Sequence, residues 1–339
     1  MRLTPDSAAP DPALTARFRA DFEAIAGQGE GNGGAGTLLA LAVSGGADSM
    51  AMLALAHAAF PGAVIAATVD HRLRDAAADE AAMVARHCAA LGVPHATLLP
   101  GEPIAGASIQ ARAREARYRL LEDWARRAGA ATLSTAHHAD DQAETFLMRA
   151  ARGSGVAGLA AIRPMRRLDE SLVLLRPLLG WRRADLRAIA EAAAIPFADD
   201  PTNRDDAHDR TRFRRLVEST PWLDVAGIAD AAAHVAEAEQ ALVMLTRMLW
   251  AERAAQHADG FAIDVAGLPR ELRRRLARRG VGEVRRMAGI TEPAWRDSAN
   301  IEPFLDSLDS GFGGSQAGIM ASVSGATWRF RPAPPRRSH

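Results

Sequence analysis

An apolar run that ends on a serine and two glycines, with a helical pattern starting at once, constrains this chain more than any other feature. Residues 37–50 read TLLALAVSGGADSM. Leu38 to Val43 suits a buried strand, Ser44-Gly45-Gly46 a turn, and Ser49 onward a helix. The first N–H groups of a helix have no partner within it and carry partial positive charge, so such a junction suits phosphate. Gly45 and Gly46 let the backbone approach a ligand and take positive φ. Ser44 and Ser49 add hydroxyl donors. Asp48 is the odd member, because a carboxylate beside phosphate is repulsive. It makes sense where a Mg²⁺ ion sits between the two.

Apolar runs then alternate with helical stretches. Strands are expected at 37–43, 63–69, 95–99 and 131–136, and helices at 49–59, 76–91, 109–128 and 139–151. That alternation means a doubly wound α/β fold with a parallel sheet and right-handed crossovers, in which ligands bind beyond the strand C-termini. A helical pattern at 13–26 and the glycine-rich connector 27–36 precede it, making 1–36 an N-terminal appendage. The nucleotide-binding domain is expected over 37–220, with a hairpin at 163–176 and a helix at 181–194. A smaller, mainly helical domain follows over 221–331, with a long helix at about 224–258 and a short hairpin at 312–331. Residues 332–339 read as a disordered tail.

Composition removes several function classes. All 41 Lys+Arg residues are Arg. A Walker A loop needs Lys on the β/γ-phosphates, so the chain is not an ordinary P-loop NTPase. Schiff-base chemistry on a protein Lys is excluded as well. One cysteine, Cys88, on a helical pattern, argues for a reducing compartment and against the paired thiols that sulfur insertion uses. No membrane span or signal peptide is legible, so a cytoplasmic location is expected. Formal net charge is zero, so any nucleic-acid surface must come from uneven charge distribution.

Four further segments carry chemistry. Asp70-His71-Arg72-Leu73-Arg74 closes the second strand. On the third crossover helix, Arg114, Arg117 and Tyr118 share a face by their i, i+3, i+4 spacing, and Arg offers a bidentate fork for phosphate. A solvated helix face is the competing reading. Ser134 to Thr145 contains His137, His138, Asp140, Asp141 and Glu144. Asp141 and Glu144 are i, i+3, and His137 sits at the strand end, which suits proton handling and a cationic substrate. Helix capping by Asp140 is compatible with this. A His–Asp metal site is disfavoured, since it needs further His ligands on an all-helical frame. Arg270 to Arg286 is an Arg-rich helix that reads equally as a solvated face or as an electrostatic footprint on RNA.

Ser44-Gly45-Gly46-Ala47-Asp48-Ser49 matches the SGGxDS loop of the N-type ATP pyrophosphatases, the PP-loop superfamily. Beyond that loop, the chain resembles the tRNA(Ile)-lysidine synthetases from about residue 38 to 217. The matching segments are Asp70 to Arg74, Arg114 to Tyr118, Ala136 to Thr145, Arg176-Pro177-Leu178-Leu179, Asp199 to Asn203 and Arg210 to Arg214. Thr211 stands where that family usually has Asn. The resemblance implies a ligase that uses ATP to adenylate C2–O of cytidine 34 in an isoleucine tRNA with a CAU anticodon. Free L-lysine then attacks, giving lysidine, AMP and pyrophosphate. It implies Ser44 to Ser49 on the pyrophosphate, Asp48 with Mg²⁺, Asp141 and Glu144 on lysine, and His137 taking a proton. It places Arg117 and Arg212 on phosphates. On the RNA reading of the last helix, Arg274, Arg275 and Arg278 contact tRNA. An ammonia-using synthetase and a non-enzymatic tRNA-binding module are the alternatives, and the oligomeric state, a homodimer among the options, stays open.

Overall fold

The computed structural model describes residues 9–27, 38–72, 76–102, 109–198, 209–296 and 299–334. Two compact units divide the chain, Met1–Ala236 and Glu237–His339.

The first unit opens with α1 (Pro12–Ala26), capped by Asp11, whose carboxylate accepts from Ala13 N at 2.7 Å. Then come β1 (Leu39–Ala42), α2 (Ala47–Ala59), β2 (Val64–Val69), α3 (Ala76–Leu91), β3 (His95–Leu98), α4 (Ile109–Arg127), β4 (Thr132–Ser134) and α5 (Ala139–Ala151). Each expected strand and crossover helix is present, with its ends within two residues of those expected. The short α6 (Val156–Leu159), the antiparallel pair β5 (Met165–Arg167) and β6 (Val173–Leu175), α7 (Arg183–Ala192) and α8 (Asp209–Ser219) complete the unit. The 29-residue α9 (Val225–Arg253) starts in it and carries the division between the two units.

The sheet has six strands in the order β3-β2-β1-β4-β6-β5, all parallel except the edge strand β5. Chain order runs outward from β1 to β2 and β3 and then jumps to β4 on the other side. A crevice opens at such a reversal, outside the strand C-termini. Alternation along β1 sends Leu41 and Val43 into one core, with α2, α3 and α7, and Ala40 into the other, with α4. Helix α2 is buried over nearly its whole circumference, from Ser49 to Ala56. Met50, Met52, Leu53 and Leu55 have no exposed surface, and each such side chain contributes roughly 1.5–3 kcal/mol on burial. The loop that precedes α2 is therefore anchored by a core element. Cys88 packs in this core, and burial pushes its thiol up to about 11. No helix among the described residues is long and apolar enough to cross a membrane.

The second unit contains β7 (Ala254–His257), β8 (Gly260–Asp264), α10 (Arg270–Met287), α11 (Glu302–Asp309), β9 (Gly314–Gln316), β10 (Ile319–Ser324) and β11 (Thr327–Pro332). Its strands form a five-stranded antiparallel sheet in the order β7-β8-β11-β10-β9. The expected hairpin at 312–331 is its core, formed by β9, β10 and β11. The sheet extends it with β7 and β8, at a point where the long helix gives way to a strand at Ala254. Leu272, Leu276, Val281 and Val284 of α10 pack on Trp328 and Phe330 of β11. Gly280 is required here: a Cβ would lie 2.8 Å from the Phe330 ring.

Candidate active site

A cavity of about 570 Å³ opens at the C-terminal ends of β1, β2 and β4 in the first unit. Ser44, Gly46, Asp48 and Ser49 line one side. Gly45 has φ +92°, a conformation that only glycine adopts without strain. The loop is cross-braced by its serines. Ser49 Oγ accepts from Ser44 N at 3.1 Å, lies 3.2 Å from Ser44 Oγ and donates to Gly46 O at 3.0 Å. Gly46 is the N-cap of α2 and has no side chain to cap it. The first turn of α2 thus faces the cavity with no capping side chain, which is what an anionic group needs. Ala198 N holds the outside of the loop through Gly45 O at 2.9 Å.

Asp48 projects from that first turn. Its Oδ2 lies 3.5 Å from His138 Nε2, and its Oδ1 is buried with no hydrogen-bond partner. His138 caps α5. Its Nδ1 accepts from Asp141 N at 3.3 Å, while Asp141 Oδ2 accepts from His138 N at 3.1 Å, a reciprocal capping box. The cap is therefore built by His138 and Asp141. Asp140, expected to serve in it, instead bonds Arg182 (3.2 and 3.3 Å) and Arg183 N (2.8 Å), tying α5 to the start of α7.

His137 lines the cavity and pairs its Nδ1 with Thr135 Oγ1 at 2.9 Å. Burial, with Arg176, Arg114 and Arg210 adding repulsion, lowers its pKa to about 3 against the pull of Asp141. His138 moves the other way. Burial disfavours its charge, but Asp48 and Asp141 outweigh burial and raise its pKa.

Opposite the loop, Arg114, Arg117 and Tyr118 of α4 line the cavity, as their helical spacing implies. Burial lowers the Arg117 pKa, and Arg114 and Arg210 repel it. A crowd of guanidinium groups facing a cavity is suited to anions. His71 also lines it, with Nδ1 buried and unpartnered.

Helix α8 departs from the sequence reading. Arg212 is exposed and does not line the cavity, whereas Arg210 and Arg214 do. The reason is periodicity: residues two apart on a helix lie about 200° apart, and residues four apart share a face. Arg210 Nη2 donates to Asp141 Oδ1 at 2.5 Å and Arg210 Nε to Glu144 Oε2 at 3.0 Å; Arg214 Nε donates to Glu144 Oε1 at 2.8 Å. Both oxygens of Glu144 are thus taken. Its side chain is 2% exposed and lies behind the arginines, not on the cavity wall. Asp141 does reach the cavity. The signal available in the sequence was the facing pattern of an i, i+3 acidic pair and an i, i+4 arginine pair. Asp199 to Asn203, and Leu73 and Arg74, lie outside the described residues.

In the second unit, Arg274 and Arg275 are held in ion pairs. Arg274 bonds Glu302 (2.6 and 3.2 Å) and Glu271, and Arg275 bonds Glu239 (2.5 and 3.0 Å) and Glu271 (2.8 Å). Arg278 lines a groove of about 410 Å³ between α9 and α10, with Arg247, Arg275, Arg279 and Arg286, of which Arg279 and Arg286 also pair with Glu283. A basic helix satisfies its own acidic neighbours first, and the sequence does not reveal which arginines they claim.

The PP-loop domain family matches residues 21–220. The tRNA(Ile)-lysidine synthase of Zymomonas mobilis is 44% identical over 304 residues, covering 88% of this chain and 89% of its own. That of Novosphingobium aromaticivorans is 41% identical over 327 residues, covering 95% and 94%. Among solved structures, the U34-tRNA thiolase NcsA from Methanococcus maripaludis shares the fold at 15% identity, with a TM-score of 0.53 over 66% of this chain and 76% of its own.

Proposed function

This chain belongs to the tRNA(Ile)-lysidine synthase family of PP-loop ATP-using ligases, and from that premise we propose how its residues divide the work. The observation that carries the reading is the uncapped first turn of α2, with Asp48 Oδ1 buried and unpartnered beside it.

The backbone of Gly45 to Ser49 receives the β- and γ-phosphates of ATP. Asp48 would hold Mg²⁺. Among the described residues no group of three or more His, Cys, Asp or Glu forms a metal site. One carboxylate with an unpartnered oxygen fits an ion that takes its remaining ligands from phosphates and water. When bound, such an ion would offset charge on the pyrophosphate group. The target cytidine of the isoleucine tRNA enters between the loop and α4, where Arg114 and Arg117 face anionic groups. Its C2 oxygen attacks the α-phosphorus, and pyrophosphate leaves.

Free lysine is the second substrate. Asp141 accepts one of its ammonium groups in the place now taken by Arg210, and Glu144 holds Arg210 and Arg214 ready to yield. The attacking amine must be neutral. His137, with its proton held only below about pH 3, is a feeble base in the free enzyme. Anions arriving among Arg114, Arg176 and Arg210 offset the repulsion that depresses it. On the RNA side, the groove of Arg247, Arg278, Arg279 and Arg286 is the better footprint than Arg274 and Arg275. The reaction belongs in the cytoplasm, where tRNA, ATP and lysine meet.

Pyrophosphate release from ATP tests the reading. It should require tRNA, and AMP-coupled modification of the tRNA should require lysine, with ammonia unable to substitute. Replacing Asp48 with Ala should abolish release while the thermal midpoint holds. Near wild-type release by that variant would refute the loop assignment.

A further inference from the structure

His138 has a hydrogen-bond inventory with one acceptor and one donor when neutral. The acceptor is accounted for. Asp141 N–H points at Nδ1, so the ring proton sits on Nε2. Nε2 lies between two carboxylate oxygens, Asp48 Oδ2 at 3.5 Å and Asp141 Oδ2 at 3.6 Å. The second is already engaged by His138 N, and the other oxygen of Asp141 by Arg210. Asp48 Oδ2 is the one acceptor of this set with no other bond, and the imidazole is only 2% exposed, so water does not take its place. The separation is at the long edge of a hydrogen bond, as contacts of substrate-free sites often are before ligand draws them in.

We propose that His138 is a positioning residue for Asp48. Its Nε2 lies against Oδ2 and fixes the plane of the carboxylate at the phosphate loop, while Nδ1 is committed to the start of α5. The consequence is mechanical. The carboxylate of Asp48 stands on the phosphate loop and His138 stands on the next functional element, so one imidazole fixes the spacing between them. Without that partner the carboxylate is free to turn about Cβ–Cγ, and its plane relative to the loop is no longer fixed. Partners that orient a metal-binding group commonly matter about 10- to 100-fold in metal affinity. This rests on the reading of Asp48 as the Mg²⁺ and phosphate residue.

The alternative is that His138 caps a helix and nothing more, and isosteric substitution separates the two. Asn and Ser are strong N-caps: their side-chain oxygen replaces Nδ1 but does not reach Asp48. Gln carries its amide N–H near the position of Nε2 and caps poorly. ATP binding to the full-length chain is measured by calorimetry without tRNA, with and without Mg²⁺, alongside thermal midpoints. For His138→Asn and His138→Ser the midpoint should stay near wild type, and the gain in ATP affinity conferred by Mg²⁺ should fall about 10- to 100-fold. For His138→Gln the midpoint should drop and the gain should survive within a few fold. A full Mg²⁺ gain in folded Asn and Ser variants overturns the proposal. Asp48→Asn distinguishes the failures. If it too keeps the gain, the reading of Asp48 is wrong; if it alone loses the gain, only the role of His138 is.

Discussion

His137 and His138 are adjacent in the chain and opposite in electrostatic setting. His137 is half-buried among arginines and kept neutral; His138 is buried between Asp48 and Asp141, which raise its pKa. The sequence reading gave the proton-handling role to His137 because it ends the strand. Nothing in two consecutive histidines tells which faces a carboxylate, since that depends on how the α2 loop approaches from elsewhere in the chain. The depressed pKa of His137 has a measurable sign. The unfolded chain takes up this proton near pH 6.5, and the folded protein only near 3. Between those values the unfolded state binds the extra proton, so stability falls as pH falls, by about 1.4 kcal/mol per pH unit for one such group. Replacing His137 with Asn should flatten the slope of unfolding free energy across pH 6.5 to 3, read by urea titration at several pH values. An unaltered slope would mean that His137 is not neutral in the fold.

Helices here settle their charges by geometry that single-residue patterns conceal. The phosphate loop was legible because it is local: strand, glycine turn and helix start are contiguous. The parallel sheet was legible for the same reason, each crossover being a strand followed by its own helix. The ion pairs of α10 were not, because Glu239 and Glu302 are 36 and 28 residues from the arginines they bind. Nor was the whole antiparallel sheet, whose β7 reads AAQH and has neither alternation nor β-branched residues. Arg275 and Glu239 have side chains only 13% and 8% exposed, whereas Arg286 is 75% exposed. Removing one partner of a buried pair leaves an uncompensated charge. Arg275→Ala should therefore cost about 3–5 kcal/mol. Arg286→Ala should stay within about 0.5 kcal/mol. Chemical denaturation of the two variants decides between a structural and a surface role for Arg275; equal small losses would return it to the candidate RNA surface.

At the scale of the whole molecule, net charge is zero, so attraction to a polyanion must be concentrated. The groove of Arg247, Arg278, Arg279 and Arg286 is one such concentration, though Arg279 and Arg286 share Glu283 and Arg279 stacks over Trp250. Neutralising all four should raise the KM for tRNA and make its dependence on salt shallower, because fewer condensed counterions are released on binding. The rate at saturating tRNA should hold. Titration of tRNA at several salt concentrations checks this, and an unchanged slope would take the groove out of the RNA surface.

If lysine binds as proposed, the Asp141–Glu144 pair also sets what kind of event its entry is. Arg210 and Arg214 already neutralise these carboxylates. On the proposed role of Asp141, a diamino acid would enter by ion exchange, one fixed guanidinium stepping aside for one mobile ammonium, with little change in the local count of charges. Sodium, ammonium and polyamines meet a pocket whose counter-ion is covalently tethered and present at very high effective concentration. Such a site resists stray cations and should bind its substrate with an affinity nearly indifferent to ionic strength.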